Sequence, residues 1–303
     1  MRGLSGFTKR NILVFFKDIH SVIFSMLTPI ILLMLYMFFL KSNFVSAINA
    51  ELDGLDSIIK EGDVSKLVNC LLLSGIMGSA LITVPYNCLM TLIADRERKV
   101  DCDVLATPLK RWQIIAGYFL SATVSSFVMT GGTAAVGILA LGGPVAINLS
   151  ANDMLLLYGT IFLGAVSATV FFMIVVLLFK TQASCGAFFG ILSAAAGFVI
   201  GAYMPLSQFS AGLRNVCNLF PASNITVMLR NALMGGMLTR IDKDINGIDN
   251  GNFVKGIKSV FDFNTKLFDK ELSLAGSGIY ILCFSAIMAL IVAFVYSKTY
   301  KKR

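Results

Sequence analysis

Six long stretches of this sequence contain no Asp, Glu, Lys or Arg, and they limit what the chain can fold into. A helix needs about 20 apolar residues to cross the hydrocarbon core of a bilayer, and each stretch is at least 22 residues long. Only 14% of the chain is charged, whereas soluble globular proteins carry about 25%. The sequence therefore predicts an all-α polytopic membrane protein with six transmembrane helices. The predicted helices are residues 21–40, 67–93, 112–141, 154–179, 183–204 and 274–297.

The widest charge-free stretch, residues 112–152, allows two interpretations. It can hold one long helix, 112–141, or two helices that break at Gly131 and Gly132. Each of two helices would have roughly 17 to 19 residues, which is marginal for crossing a bilayer. We favour one helix, which keeps the total at six.

Lys and Arg are distributed unevenly between the two sides of the predicted membrane. If the spans alternate, the N-terminal side carries 14 of these residues, and the short loops opposite carry only Lys41, Lys60 and Lys66. Short loops rich in Lys and Arg stay in the cytoplasm. We expect a multi-pass protein of a bacterial cytoplasmic (inner) membrane with both termini cytoplasmic. No cleavable signal peptide is evident, so the first span should remain as an anchor.

Residues 4–19 precede the first span and are amphipathic at helical spacing. Leu4, Phe7 and Phe15 fall on one side, and Lys9 and Arg10 fall on the other. This pattern predicts an interfacial helix lying on the membrane surface. The alternative is a basic flank that only orients the first span.

Small residues and bulky residues suggest how two of the spans pack. The third span is rich in Gly, Ala, Ser and Thr, which let helices approach closely in lipid. We expect it to be packed inside a bundle or at a dimer interface. Residues 171–179 of the fourth span are bulky and apolar, and we expect them to face lipid.

A charged block at residues 94–112 separates the second and third spans. It holds nine charges in 19 residues, so it must face water, on the expected cytoplasmic side. Its acidic and basic residues have the spacing of ion pairs on a short helix, which Thr107 and Pro108 would end. The charges alone support equally a solvated loop that sets topology and a segment that contacts a partner.

The outer region, residues 205–271, lies between the fifth and sixth spans. Two amphipathic pieces, 206–220 and 224–238, meet at Pro221 and suggest short re-entrant helices that dip into the outer leaflet. A seventh span at 222–238 is the alternative. It would place Arg230 in lipid, at a cost of roughly 2.5–3.5 kcal/mol. The polar residues after 241 are expected to form a loop.

The sequence carries no pattern for catalysis, a metal or a nucleotide. It lacks the phosphate loop G-x-x-x-x-G-K-[ST] and the zinc motif H-E-x-x-H. Its single histidine, His20, is expected to be an interface residue. The predicted spans also lack the charged residues that ion-coupled carriers use. We predict no catalytic, cofactor-binding or metal-binding residue, so energy for transport would come from a partner.

The charged block resembles the coupling region of the ABC-2 permease family, the membrane subunits of type-2 ABC exporters. The matching residues are Arg96-Glu97-Arg98, Leu105 to Leu109, Arg111-Trp112 and Gly117. This chain has Lys99-Val100-Asp101-Cys102 where the family often has a Gly-Thr-Leu-Glu-like run. The resemblance implies that the residues coupling the chain to an ATPase are Arg96, Glu97, Arg98, Leu105, Thr107 and Pro108.

The outer region also resembles the family, whose re-entrant helices lie above the pore. The residues that carry this likeness are Pro205, Pro221, Arg230 and Gly235. With six spans and an amphipathic N-terminal helix, the likeness covers essentially the whole chain. It implies a single ABC-2 type transmembrane domain over residues 1–303, with a coupling loop at 94–111.

The resemblance implies a function and a set of partners. The chain would be the permease subunit of an ATP-driven exporter of an amphipathic drug, antibiotic, peptide or lipid-like substrate, as in multidrug resistance. Cytoplasmic ABC ATPase subunits would carry ATP and Mg²⁺, and the second half would be another copy or a related permease. Spans two and five would line the path, and no nucleic acid would bind. The alternatives are a lipid-linked glycan exporter and a channel or secondary carrier that works alone.

Overall fold

The computed structural model describes residues 2–51, 59, 61–245, 249–267 and 270–299, and it is mainly helical there. Residues 300–303, at the C-terminus that we expect to be cytoplasmic, lie outside the described residues. In the first half, α1 is Arg2–Lys17, α2 Ile19–Leu35, α3 Lys41–Ala50, α4 Glu61–Glu97, α5 Val100–Ala106 and α6 Arg111–Ala140. In the second half, α7 is Ala151–Leu177, α8 Gln182–Val199, α9 Ala211–Leu219, α10 Pro221–Ile245, α11 Asn252–Val260 and α12 Leu274–Thr299. Strands β1, Thr265–Leu267, and β2, Lys270–Leu272, form an antiparallel hairpin.

Six helices among the described residues are long and apolar enough to cross a membrane. They are α2 with its extension through α3, α4, α6, α7, α8 and α12. The all-α polytopic fold with six spans is therefore confirmed. Gly131 and Gly132 lie inside α6, so the third span is one helix rather than two.

The ends of three spans differ from the predicted ends. The helix that begins at Ile19 passes through a π-helical turn, Tyr36–Leu40, and continues as α3 to Ala50. α4 likewise continues to Glu97, because a charged residue ends the apolar stretch without ending the helix. α8 instead ends at Val199, before the predicted 204. Gly201 there adopts φ +68°, a left-handed conformation that glycine adopts without steric cost.

α4 is the central helix of the bundle and packs against α2, α6, α7, α8 and α10. In the apolar 18-residue stretch of α4, 83% of the residues are buried, compared with 22% in that of α8 and 17% in that of α12. The expectation that residues 171–179 face lipid was wrong, since Phe172 and Met173 are buried. α7 packs on four neighbours, α4, α6, α10 and α12, so its bulky side chains fill the core. Small residues on α6, such as Ser125 and Ser126, are buried as expected.

The buried core has two parts, and they define the two ends of the bundle. One part joins Phe7 and Phe15 of α1 to Leu92 of α4 and Val176 of α7. We call this the α5 end, because α5 follows α4 there. The other part contains Ile48, Leu67, Phe253 and Ile257, and we call it the α11 end.

The region after α8 forms a helical hairpin, as predicted, but a longer one. α9 and α10 meet at Pro221, and the Phe220 ring at this tip lies 4.9 Å from that of Phe171 on α7. α10 then returns along α7 until Gly236 packs against the backbone oxygen of Asn148. It has 25 residues, against the 15 predicted. α10 is not among the helices apolar enough to span a membrane, so the seventh-span alternative is not supported.

The polar stretch after residue 241 is more structured than the predicted loop. It contains the end of α10, the short helix α11 and the β1–β2 hairpin. Phe253, Phe261 and Phe263 are buried there. These aromatic side chains form a small core at the α11 end, between α3, α10 and α11. The polar composition of the segment gave no indication of this core.

Candidate coupling site and apolar groove

The predicted coupling loop, residues 94–111, is largely helical. Arg96 and Glu97 lie in the last turn of α4, and Arg98 follows in a tight turn. Lys99 adopts φ +61°, which separates α4 from α5. The structure thus has the end of α4 and the short helix α5 where the sequence predicted one short helix or a solvated loop. We call residues 94–111 the coupling segment.

Thr107 and Pro108 end α5 as the sequence predicted. Thr107 is extended, with ψ 159°, because a residue before proline disfavours the helical region. Its hydroxyl donates to the Val104 carbonyl at 2.6 Å. Leu105, Thr107 and Pro108 are exposed, so three predicted coupling residues form one accessible surface at the tip of the segment.

Asp95 attaches the coupling segment to two other helices. Its carboxylate is buried and accepts hydrogen bonds from both terminal nitrogens of Arg10 on α1, one of them at 2.8 Å. The Tyr118 hydroxyl on α6 donates to the same carboxylate at 2.7 Å. The hydrogen bond to Asp95 raises the pKa of Arg10 above its ordinary value. α1, α4 and α6 are therefore joined at one buried charge.

The aromatic packing beside this ion pair also fastens α1 to α6. The rings of Phe7 and Tyr118 meet edge to face, with centroids 5.1 Å apart. Gly117 lies directly under Phe7, where a Cβ would overlap the ring. The predicted amphipathic helix therefore docks on the bundle through Phe7, while Leu13 and Phe16 stay exposed on another face. The side with Phe7 and Phe15, which the sequence predicted to lie on the membrane surface, is therefore packed against protein.

Glu97 connects the coupling segment to α8. Its Oε2 accepts a hydrogen bond from the backbone N–H of Gln182, the first residue of α8, at 2.9 Å. Asp95 and Glu97 were predicted to pair locally along one helix. Both instead contact other helices, because residues two apart point to opposite sides of α4.

A groove of about 860 Å³ lies between α2 and α8. His20, Ser21 and Asn87 lie toward its α5 end, and Phe198 and Tyr203 lie toward the other end. Ser193 is a further polar residue of the lining, part of the way along α8. That spans two and five line a translocation path between two copies stays a prediction. The groove itself is formed by α8, the fifth span, and by α2, while α4, the second span, contributes only Asn87 and Met90.

Arg230 is the best-defined residue of the outer region. It is 3% exposed, and its guanidinium donates to the backbone oxygens of Phe261 and Asp262, the latter at 3.2 Å. The adjacent Asn231 amide donates to the Phe263 carbonyl at 2.8 Å. A charge that would be costly in lipid thus has protein carbonyl partners. These bonds hold the chain after α11 against the α9–α10 hairpin.

The other outer residues that the sequence singled out have different roles in the fold. Pro205 precedes a short 3-10 turn instead of ending α8 directly, and Pro221 is the first residue of α10, where proline fits a helix. The structure places nothing within 4 Å of a Cβ on Gly235. The close approach is at Gly236, whose Cβ would overlap the oxygen of Asn148. The tight contact in this part of α10 is therefore at the residue after Gly235.

Several residues of the site had no signal in the sequence. Arg10, Tyr118 and Gln182 each meet a partner 23 to 85 positions away. Arg10 had been assigned to the solvent side of α1. Only a tertiary contact turns it toward the bundle, and helical periodicity cannot show such a contact.

The described residues thus form a bundle with six helices able to cross a membrane, an exposed charged segment at one end and an apolar groove along one side. The family model described as "ABC-2 family transporter protein" matches residues 48–296. The chain belongs to this family and is an ABC-2 type permease. The comparison with curated proteins finds no match.

Proposed function

We propose that this chain is the membrane subunit of an ATP-driven exporter and that a separate ABC ATPase engages the coupling segment. Membership of the ABC-2 family implies association with an ABC ATPase. The observation that carries the proposal is the buried Asp95, which joins the segment to α1 and α6. A force on the exposed residues Leu105 and Pro108 therefore acts on the bundle rather than on a flexible loop.

The groove between α2 and α8 supports an amphipathic or lipid-like substrate. Its volume, about 860 Å³, is within the range of small-molecule sites. Its wall is almost entirely apolar, with His20, Ser21 and Asn87 at one end. A molecule with one polar end and a long apolar body would match this distribution. A second copy of the chain or a related permease would close the open side.

A crosslinking experiment tests the ATPase contact. A benzophenone amino acid at Leu105 should crosslink to the ATPase subunit in native membranes after irradiation. The same probe at Val145, 89% exposed in the loop between α6 and α7, is the matched control and should not crosslink to it. A crosslink from both positions, or from neither, would contradict the proposed surface.

A transport assay tests the function itself. The purified complex is reconstituted in liposomes with a fluorescent amphipathic dye in one sample and a fluorescent phospholipid in another. Movement of either probe should require ATP and should stop when the phosphate-loop lysine of the ATPase is replaced. Unchanged movement with that ATPase variant would favour a channel or secondary carrier. A third sample holds a fluorescent lipid-linked glycan, and ATP-dependent movement of that probe alone would favour the glycan exporter.

A further inference from the structure

α8 is held in the bundle by few neighbours. Only 22% of the residues in its apolar stretch are buried. Within the described chain, it packs mainly against α4 and α2. One of its faces is a wall of the groove. Elements with few buried contacts move at lower cost than the core. α8 is therefore the groove-lining helix whose displacement would widen or narrow the groove most easily.

The N-terminus of α8 depends on a carboxylate from another helix. The first N–H groups of a helix have no partner within it, and negative charge is favourable there. Thr181 accepts from Ser184 N at 3.3 Å, but the first turn of α8 contains no acidic residue. Glu97 supplies that charge by accepting from Gln182 N at 2.9 Å.

The last turn of α4 is thus bonded in two directions. Asp95 binds Arg10 and Tyr118 on one side, and Glu97, about 200° further around a helix of 3.6 residues per turn, binds α8. The left-handed Lys99 and then α5 follow directly. A displacement of α5 therefore reaches the N-terminus of α8 through the Glu97–Gln182 hydrogen bond. Further along, Tyr86 of α4 donates to the Cys185 carbonyl at 2.9 Å and holds the two helices together in the core.

We propose that Glu97 is a positioning residue that transmits movement of the coupling segment to α8 and so changes the width of the groove. This inference rests on the proposed function and adds to it. Glu97 does not act by touching the ATPase. It acts through the backbone N–H of Gln182. A mutation at Gln182 can therefore remove the contact with α8 without changing a side chain that could contact the ATPase.

Gln182 provides a matched pair of variants. Gln182→Pro removes the N–H that Glu97 binds and leaves the Glu97 carboxylate in place. Proline is tolerated at the first position of a helix, and Thr181, at φ −127° and ψ 149°, already has the conformation that precedes proline. Gln182→Ala keeps the N–H and is the control. Glu97→Ala removes the acceptor, and Glu97→Gln retains an oxygen that can accept.

Two measurements on the intact protein distinguish these variants. Hydrogen exchange of amides 183–185 should accelerate roughly two- to fivefold in Gln182→Pro and Glu97→Ala, the range given by a charge at a helix N-terminus. In liposomes with the ATPase, both variants should move fewer dye molecules per ATP hydrolysed while ATP hydrolysis continues. Gln182→Ala should resemble the unaltered protein in both measurements. Glu97→Gln keeps an oxygen that can accept but loses the charge, so it should fall between the unaltered protein and Glu97→Ala.

The outcomes separate failure of this inference from failure of the proposed function. If the unaltered complex shows no ATP-dependent transport, the proposed function is wrong and the transmitting role falls with it, while exchange still reports the contact. If the complex transports and Gln182→Pro matches Gln182→Ala, Glu97 does not act through α8. Unchanged exchange in both Glu97→Ala and Gln182→Pro would likewise overturn the proposal.

Discussion

Asp95 and Arg10 lie 85 residues apart in the sequence and form an ion pair at the α5 end of the bundle. Asp95 is buried, whereas the Arg10 side chain keeps 36% of its exposure. The pair is completed by the Tyr118 hydroxyl. The N-terminal helix is consequently part of the folded bundle as well as a surface helix, and its removal would leave a buried carboxylate short of partners.

Arg10→Ala should destabilise the protein by about 3 kcal/mol, the low end of the cost of breaking a buried ion pair. The lower end applies because Arg10 is partly exposed. Lys9→Ala, on the exposed side of the same helix, should change stability by about 0.5 kcal/mol or less. Thermal unfolding in detergent compares the two. Equal midpoints for the two variants would show that the ion pair does not hold α1.

Arg230→Met should destabilise the α11 end, because the carbonyls of Phe261 and Asp262 lose their donor. A buried polar group without a partner costs about 1–3 kcal/mol. Arg240 on the same helix is the control, since its ion pairs with Asp63 and Asp244 are partly exposed and are worth about 1 kcal/mol or less. Limited proteolysis between residues 249 and 267 measures the effect. Cleavage that is faster in Arg240→Met than in Arg230→Met would contradict it.

Exchanging the charges of Glu97 and Arg98, by Glu97→Arg with Arg98→Glu, should leave membrane insertion intact. Both side chains are exposed, and the net charge is unchanged. The variant should bind the ATPase and hydrolyse ATP but transport several-fold less substrate per ATP. Membrane fractionation and the liposome assay measure the two properties. Normal transport would indicate that the charges of the coupling segment only set the membrane topology.

Gly190→Trp should block transport by filling the groove. Gly190 lines the groove, and no atom lies within 4 Å of a Cβ built on it. Ile191→Trp is the matched control, because Ile191 is 69% exposed and does not line the groove. Dye transport should fall in the first variant and persist in the second. Equal transport by the two variants would show that the substrate does not pass through the groove. Loss of dimers in Gly190→Trp alone would show that the groove is a subunit interface.

Helix number and type followed from hydrophobic length, because a bilayer imposes that length directly. Six spans and an unbroken third span were predictable on this ground. The hairpin at Pro221 followed instead from two amphipathic pieces that meet at a proline. Boundaries were less predictable. Lys41 and Asp95 mark where apolar composition ends, yet the helix continues through both positions, since a polar side chain at a membrane surface has no reason to break backbone hydrogen bonds.

The contacts of the candidate site could not be predicted in the same way. The charged block drew attention to Glu97, but its partner is a backbone N–H on α8, which has no sequence signature. Residue size was also a poor guide to lipid exposure. Phe172 is buried because α7 has neighbours on several sides, and α8 is exposed despite its small residues. Which helices surround a given helix decides how much of it is buried, and composition does not show those neighbours.

α4 has mechanical consequences that follow from its length. Its 37 residues extend about 55 Å at 1.5 Å per residue, well beyond a hydrocarbon core of about 30 Å. Its two ends carry charged contacts, Asp63 with Arg240 and Asp95 with Arg10. A rod of this length that tilts by about 10° around its centre moves each end by roughly 5 Å in opposite directions. The contacts at its two ends, although they lie beyond opposite edges of the hydrocarbon core, would then shift together.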